Sequence, residues 1–513
     1  MKTKNRPLPH DLLDQMIELR NSVYTDGRVI YNRWKPNIVD RSFRGSAKNL
    51  AYYLALRRRD IRELQEELST WGLSSLGRLE SRTLPTIDTV IATLAKICNR
   101  EDEVIRYPKK YAFAAGHIKL RENIERLFGS IEGKRNTHIM VTVDRKACNY
   151  DFVKDLSDAG MTILRINCAH EDPEVWLKII NNAKRIREET GRSCKVLMDI
   201  SGPKARTSWV LTGDRKDRAV VGKRILISRN KGAHMLEDDE ITLKVGCSLP
   251  EILDDLKIGE PILIDDGKIE SVVEEIVDEG VIVRVNKTDR PKGFRIKAYK
   301  GLNFPKTNLN LPVITEKDHL DLDFVVKHAD IIGFSFIKNL EDMRYCLSEV
   351  EKRIDDNSKM PSIVAKIETQ QGIANLSDII AEAGGRSKFG VMIARGDLAV
   401  ETGYLRLAEL QQQILWLCEA ADIPCIWATE VLANMCDTGI PTRSEVTDAA
   451  EGGARAECVM LNKGDYIVES VEFLRKVLEQ MESNLYKKTP LLRALSLAKN
   501  VEVNQDTNKE TKS

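Results

Sequence analysis

Eight short apolar runs, each followed by an amphipathic stretch, set the strongest constraint on what this chain can fold into. They read HIMVTV from residue 138, then MTILRIN, CKVLMDI, ADIIGFSF, SIVAKIE, FGVMIA, IPCIWAT and ECVMLN. Runs of this length suit buried strands, and stretches such as 151–159 and 173–189 between them carry helical spacing. Eight strand–helix repeats predict an α/β chain folded as a parallel (β/α)8 TIM barrel. Such a barrel takes up about 250 residues. The chain has 513, so it needs further units.

Between about 208 and 299 the rhythm breaks into ILIS, EITLKVG, PILIDDG, KIESVVEEI and VIVRVN, separated by turns rich in Gly and Asp. We expect an all-β lid domain, a small β-barrel, inserted in one barrel loop. Residues 1–133 lack strand-like runs. Leu64, Leu68, Leu73 and Leu76, then Ile87, Val90, Ile91, Leu94 and Ile97, show helical spacing. That predicts an all-α extension, with boundaries at Ser69-Thr70 before Trp71-Gly72 and near Asp88. Arg57-Arg58-Arg59 reads as a solvated helix face. The barrel then occupies 134–207 and 300–485, the lid 208–299, and a C-terminal helix with a disordered polar tail (NQDTNKETKS) 486–513.

With 79 basic and 78 acidic side chains the formal charge is +1, which argues against nucleic acid or a membrane surface as partner. The opening MKTKNRPLPHDLLDQM has no apolar core with a cleavage site, and no window approaches 18 uninterrupted apolar residues. The 10 cysteines are scattered without a CxxC pair, so they read as reduced thiols of a cytoplasmic protein.

Barrels carry chemistry at the carboxyl ends of their strands. SIVAKIE ends in Lys366 and Glu368, which strand alternation puts on one side. VMIARGDLA reaches Gly396-Asp397, where a glycine turn opens a helix whose first amides suit an anion. Two carboxylates at neighbouring strand ends suit Mg²⁺ or Mn²⁺, which take oxygen ligands and leave positions for water and substrate. Beside them a lysine can neutralise a transferring phosphoryl group or an enolate; an ion pair closing the barrel end is the alternative. Arg165 and Asn167 end MTILRIN, Asp199 ends KVLMDI, Arg206 follows Ser201-Gly202-Pro203, and Thr429 ends IPCIWAT. His170 reads as a turn histidine, Cys168 as a buried small side chain, and Gly384-Gly385 and Gly452-Gly453 as turns.

These segments together resemble pyruvate kinase. The match runs in the family's order through AGMTILRIN, MDISGPKARTS, ILIDDGKIESVVEEI, YKGLNFPKTNLNLPVITEKD, VAKIETQQGIANL, VMIARGDLAVE, ATEVLANM and PTRSEVTDAAEGGA, over about residues 137–485. The resemblance implies phosphoryl transfer between phosphoenolpyruvate and ADP, giving pyruvate and ATP in glycolysis. It would make Lys366 the transfer lysine and Glu368 and Asp397 the Mg²⁺ ligands. Thr429 and the Gly396–Asp397 amides would anchor substrate, Arg165 and Arg206 would grip phosphates, and Lys300 and Asp266 would face the nucleotide from the lid.

The departures from the family pattern are specific. Its potassium ligands Asn, Ser, Asp and Thr read Asn167, Ala169, Asp199 and Ile200, so two oxygen ligands are missing. GPEIR reads GPKAR, which puts Lys204 where most members have glutamate; members with lysine there dispense with potassium. Potassium independence is therefore expected, with the ammonium standing in for the cation near the phosphates. TIGPAS reads TVDRKA, and SGETAKGDYP shortens to NKGDYI. The family's usual C-terminal regulatory domain is expected to be absent. A homo-oligomer is expected. Two other readings stay open: a barrel enzyme with another acceptor or an enolate-forming lyase activity, and a nonenzymatic binding or regulatory protein.

Overall fold

A computed structural model describes residues 8–490 except 105, 134, 214–216, 231–240, 356–358, 483 and 488. All eight apolar runs are strands of one closed parallel barrel. In chain order they are His138–Val143, Ile163–Asn167, Lys195–Ile200, Ile331–Phe334, Ser362–Ile367, Phe389–Ala394, Cys425–Val431 and Cys458–Leu461. Their inward side chains pack together, with Met140, Leu197, Val364, Met392 and Ile426 in a common core. The outward ones meet the ring of helices, as Trp176 and Trp427 do. Side-chain caps set where those helices begin: Asp172 accepts two amides ahead of Pro173, and Thr442 and Glu445 form a reciprocal capping box.

The inserted residues form one seven-stranded sheet with its own core, around Ile225, Ile227, Val245, Ile262 and Val283. Its edges are Thr207–Thr212, where the chain leaves the barrel, and Leu302–Asn303, where it returns. Both lie outside the predicted strand pieces, because TSWVLT mixes polar and apolar residues and the return strand is two residues long. Backbone bonds from Thr207 N to Lys300 O (2.8 Å) and from Leu302 N to Ala205 O (2.9 Å) tie the two edges at the hinge.

The extension is helical, with helices Pro9–Trp34, Arg44–Arg57, Arg62–Thr70, Thr83–Cys98 and Lys110–Phe128. The last ends in Leu127 and Phe128, both fully buried among the inward residues at the amino end of the barrel. Phe128 lies 5.1 Å from the ring of His138. Burial holds that imidazole down to about 3, so it stays neutral. The extension therefore plugs the barrel floor. It is also clamped at the side: the Trp34 indole donates to Asp378 Oδ1 (2.6 Å), Asn49 donates to Ala420 O (2.8 Å), and Ser46 donates to Asp422 Oδ2 (2.7 Å).

Several local expectations need correction. Asp88 lies inside the helix Thr83–Cys98, where it pairs with Arg20 (3.0 Å). Leu73 and Leu76 fall after the helix that ends at Thr70, and Leu76 turns with φ +60°. Arg57 and Arg58 are exposed, as expected of a solvated face, while Arg59 is half-buried. Arg57 donates to Tyr53 and lies 4.6 Å from the Trp416 ring of the barrel, and Arg59 pairs with Asp26.

Gly385 lies in the turn after the helix Leu376–Gly384, as expected, but Gly384, Gly452 and Gly453 are helical and mark close packing. A Cβ on Gly384 would come within 2.7 Å of Phe43, and one on Gly452 within 2.6 Å of Trp427, inside the helix Arg443–Arg455. Leu485–Tyr486 pairs antiparallel with Thr489–Pro490, and most of the C-terminal helix expected over 486–513 lies outside the described residues. The polar tail lies outside the described residues. All ten cysteines are free, and nine are buried. Among the described residues no helix is long and apolar enough to cross a membrane.

Replacing Phe128 by Ala should cost about 3–5 kcal/mol, since a void in the barrel floor cannot collapse; urea unfolding reads it. A change below about 1 kcal/mol would contradict the plug. Burial also raises the Asp422 carboxyl to about 8. Its folded value lies above the unfolded one, so stability is full below about pH 4 and falls as pH rises toward 8. Asp422→Asn should flatten that fall in urea midpoints taken at pH 5 and pH 8. An unchanged slope would place the titration elsewhere.

Candidate active site

Strand alternation sends Lys366 and Glu368 to the same side of the carboxyl end of the barrel, and both are almost fully buried. The Lys366 ammonium reaches Glu368 Oε1 at 3.0 Å and Asp199 Oδ2 at 3.2 Å, and donates to Ser335 Oγ at 2.7 Å. Burial would strip its proton, but Asp199 and Glu368 outweigh that and hold its pKa above the ordinary lysine value. Asp199 is pushed up by burial, yet Lys366 and Arg165 bring it below the usual carboxylate value. Arg165 pairs directly with Asp199 and donates to Thr142 Oγ1 at 2.9 Å. Glu368 is raised by burial and by the neighbouring Asp397 carboxylate, against the pull of Lys366. Its second oxygen accepts the Phe336 amide at 2.5 Å.

A second ion pair lies beside this one: Lys204 Nζ is 2.5 Å from Asp397 Oδ1, each side chain about 20% exposed. The site thus sets three cations, Arg165, Lys204 and Lys366, against three carboxylates, Asp199, Glu368 and Asp397. Lys204 has Asp397 as its partner, and neither Asn167 nor Asp199. Asn167 Oδ1 instead accepts the Ala169 amide at 3.1 Å, and Asp199 Oδ1 is buried without a hydrogen-bond partner among the described residues.

Thr429 is held in the left-handed region at φ +66°, followed by Glu430 at +57°. Such backbone is strained for a β-branched residue and needs outside support. Arg395 provides it, bonding Ala428 O (2.9 Å) and Thr429 O (2.6 Å) while pairing with Asp448 and lying 4.5 Å from the Trp427 ring. The Thr429 hydroxyl accepts the Gly396 amide at 2.7 Å, so this amide at the start of the helix Arg395–Thr402 already has a partner.

The remaining predicted residues stand apart from this cluster. Arg206 is half-buried at the hinge, where its backbone amide bonds Ser248 Oγ. Lys300 pairs with Asp265 (3.1 Å), while Asp266 beside it is exposed. His170 is exposed in a turn, and Cys168 is buried, which raises its thiol.

Sequence reasoning missed Ser335, Arg395, Asp265 and Glu401. Ser335 closes the ADIIGFSF run and Arg395 precedes Gly396, so the strand-end rule would have reached both; Asp265 and Glu401 carry no such signal. TVDRKA and NKGDYI meet at the rim, where Lys146 pairs with Asp465 (3.0 Å) and Lys463 comes within 3.8 Å of Asp144.

Two adjacent carboxylates, one of them raised in part by the other, suit a hard divalent cation that relieves their repulsion and takes its remaining ligands from water and substrate. Among the described residues no cluster of three or more His, Cys, Asp or Glu offers a fuller cage. Because Lys204 competes for Asp397, Lys204→Met should tighten Mn²⁺ binding to the free protein by about tenfold, the effect of one nearby charge at a partly exposed site. Spin-resonance titration measures it, and unchanged or weaker binding would remove Asp397 from the metal site.

Comparison with known proteins agrees with this geometry. Residues 134–471 match the family described as pyruvate kinase, barrel domain. A pyruvate kinase of Debaryomyces hansenii is 33% identical over 347 residues, covering 66% of this chain and 66% of the relative. One of Geobacillus stearothermophilus is 31% identical over 360 residues, covering 69% and 58%. The chain thus spans under two thirds of these relatives' own length. The crystal structure of a pyruvate kinase from Cryptosporidium parvum superposes with a TM-score of 0.61 at 27% identity, covering 70% of this chain and 72% of that one.

Proposed function

The chain belongs to the pyruvate kinase family, and on that premise we propose that it transfers a phosphoryl group between phosphoenolpyruvate and ADP. The observation that carries this reading is the buried Lys366 ammonium between Asp199 and Glu368, next to the Lys204–Asp397 pair. In the forward direction the bond from phosphorus to the enol oxygen breaks, an oxygen of the ADP terminal phosphate takes the phosphoryl, and the enolate takes a proton to give pyruvate. Lys366 keeps its charge in this environment and offers it to the transferring group and the enolate oxygen. Arg165, fixed by Asp199 and Thr142, adds a fork for phosphate. Thr429, held by Arg395, bounds the substrate's seat. Glu368 and Asp397 would hold Mg²⁺ or Mn²⁺, whose chemistry is to neutralise phosphate and enolate oxygens. Lys300 and Asp266, on the lid side of the hinge, are proposed to face the nucleotide, with Asp265 orienting Lys300.

Potassium independence belongs to the same proposal. Lys204 supplies a fixed positive charge at the site, while Ala169 and Ile200 offer no side-chain oxygen. A homo-oligomer in the cytoplasm is the assembly and setting proposed with it. One observation favours a second reading: the Lys146–Asp465 and Lys463–Asp144 contacts across the rim reshape the mouth, which suits an acceptor other than ADP.

Lys366→Met should lower pyruvate release from phosphoenolpyruvate and ADP by about 10²–10³-fold, the usual loss when one preorganised electrostatic group is removed. Coupled turnover with circular dichroism as a folding control reads it, and turnover within threefold of wild type would remove Lys366 from the reaction.

A further inference from the structure

Where the lid's return strand meets the barrel helices lies a cleft of about 580 Å³. That is within the range of small-molecule sites. It meets the charged cluster only at Lys204 and backs onto it through Phe336, whose amide bonds Glu368. One part of its lining is apolar, with Leu302, Phe304 and Leu311, all buried, and Ile252 from the lid, while Lys306, Lys338 and Gln371 also border it.

At its polar end stands Asn303, only 4% exposed. The Asn303 amide donates to Glu401 Oε1 at 3.2 Å, and its carbonyl oxygen Oδ1 has no hydrogen-bond partner among the described residues. A buried acceptor left unpaired is costly, and such orphans collect at binding sites. Glu401, whose own carbonyl accepts Gln370 at 2.7 Å, adds a second acceptor beside it. Apolar side chains beside two acceptors fit a ligand whose buried part is flat, mostly apolar and tipped with N–H groups.

We propose that this hinge cleft is a second ligand site, which takes a small planar heteroaromatic molecule donating N–H to Asn303 Oδ1 and the Glu401 carboxyl. The wall is shared between the lid's return strand, which carries Asn303, and barrel helices, which carry Gln370 and Glu401. A bound molecule therefore bridges lid and barrel and sets the angle between them.

The test titrates the full chain by calorimetry with 2-aminobenzimidazole and, separately, with benzothiazole, which has the same shape and no N–H. Wild type should bind the first at one saturable site at least about tenfold more tightly than the second. Asn303→Leu should bring the two probes to the same weak affinity. Leu309→Trp, which adds bulk at another lining residue, should abolish binding of both. Saturable binding insensitive to both variants would overturn the proposal, as would equal affinity of wild type for the two probes or no binding at millimolar concentration. Thermal melts of each variant confirm the fold, and Leu309→Trp decides the matter if Asn303→Leu does not fold.

Discussion

The architecture at the carboxyl end of the barrel depends on one buried ammonium. Lys366 sits among Asp199, Glu368 and Ser335 with almost no water contact. A lone charge there would be expelled or neutralised, and each carboxylate alone would be equally costly. Lys366 and Asp199 hold one another in the ionised state, while burial pushes Glu368 up against the pull of Lys366. Arg165 shares Asp199 Oδ2 with Lys366, Phe336 N donates to Glu368, and Lys204 answers Asp397. Breaking any one of the Arg165, Asp199, Lys366 and Glu368 contacts leaves an uncompensated charge in a dry site, so these four behave as a unit, beside the partly exposed Lys204–Asp397 pair. Three charges of each sign leave the site close to neutral, which suits a polyanionic substrate that arrives with its own cation.

The barrel was legible because each strand is an uninterrupted apolar run, a signal that short-range reading captures. Lys366 and Glu368 were legible as a pair for the same reason, since a period of two is built into a strand. What escaped was set by contacts distant in the chain. Gly384, Gly452 and Gly453 read as turns but are helical, and Phe43, Trp427 and Leu478 press on them from other elements that no local pattern announces. Lys204 was legible as a charge, but its partner Asp397 lies 193 positions away, so the pairing is visible only in the fold. The hinge strands Thr207–Thr212 and Leu302–Asn303 exist only because the lid returns beside its own departure point.

The helical extension gains its meaning the same way. Its periodicity shows that it is helical, whereas its role comes from where the helix Lys110–Phe128 ends, with Leu127 and Phe128 filling the floor of the barrel. The floor and the charged cluster lie at opposite ends of the same eight strands, so core packing stabilises from below the geometry that chemistry needs above. Asp422 and Ser46 join extension and barrel in the same seam, which makes the extension part of the barrel's packing rather than an appendage.

The most direct measurement is pyruvate release from phosphoenolpyruvate and ADP with Mg²⁺, run in sodium buffer and again in potassium buffer. The account predicts equal turnover in both, because Lys204 already provides the fixed positive charge at the site. Turnover only with potassium would contradict the role given to Lys204, and silence in both from a folded, metal-binding protein would contradict the proposed transfer itself.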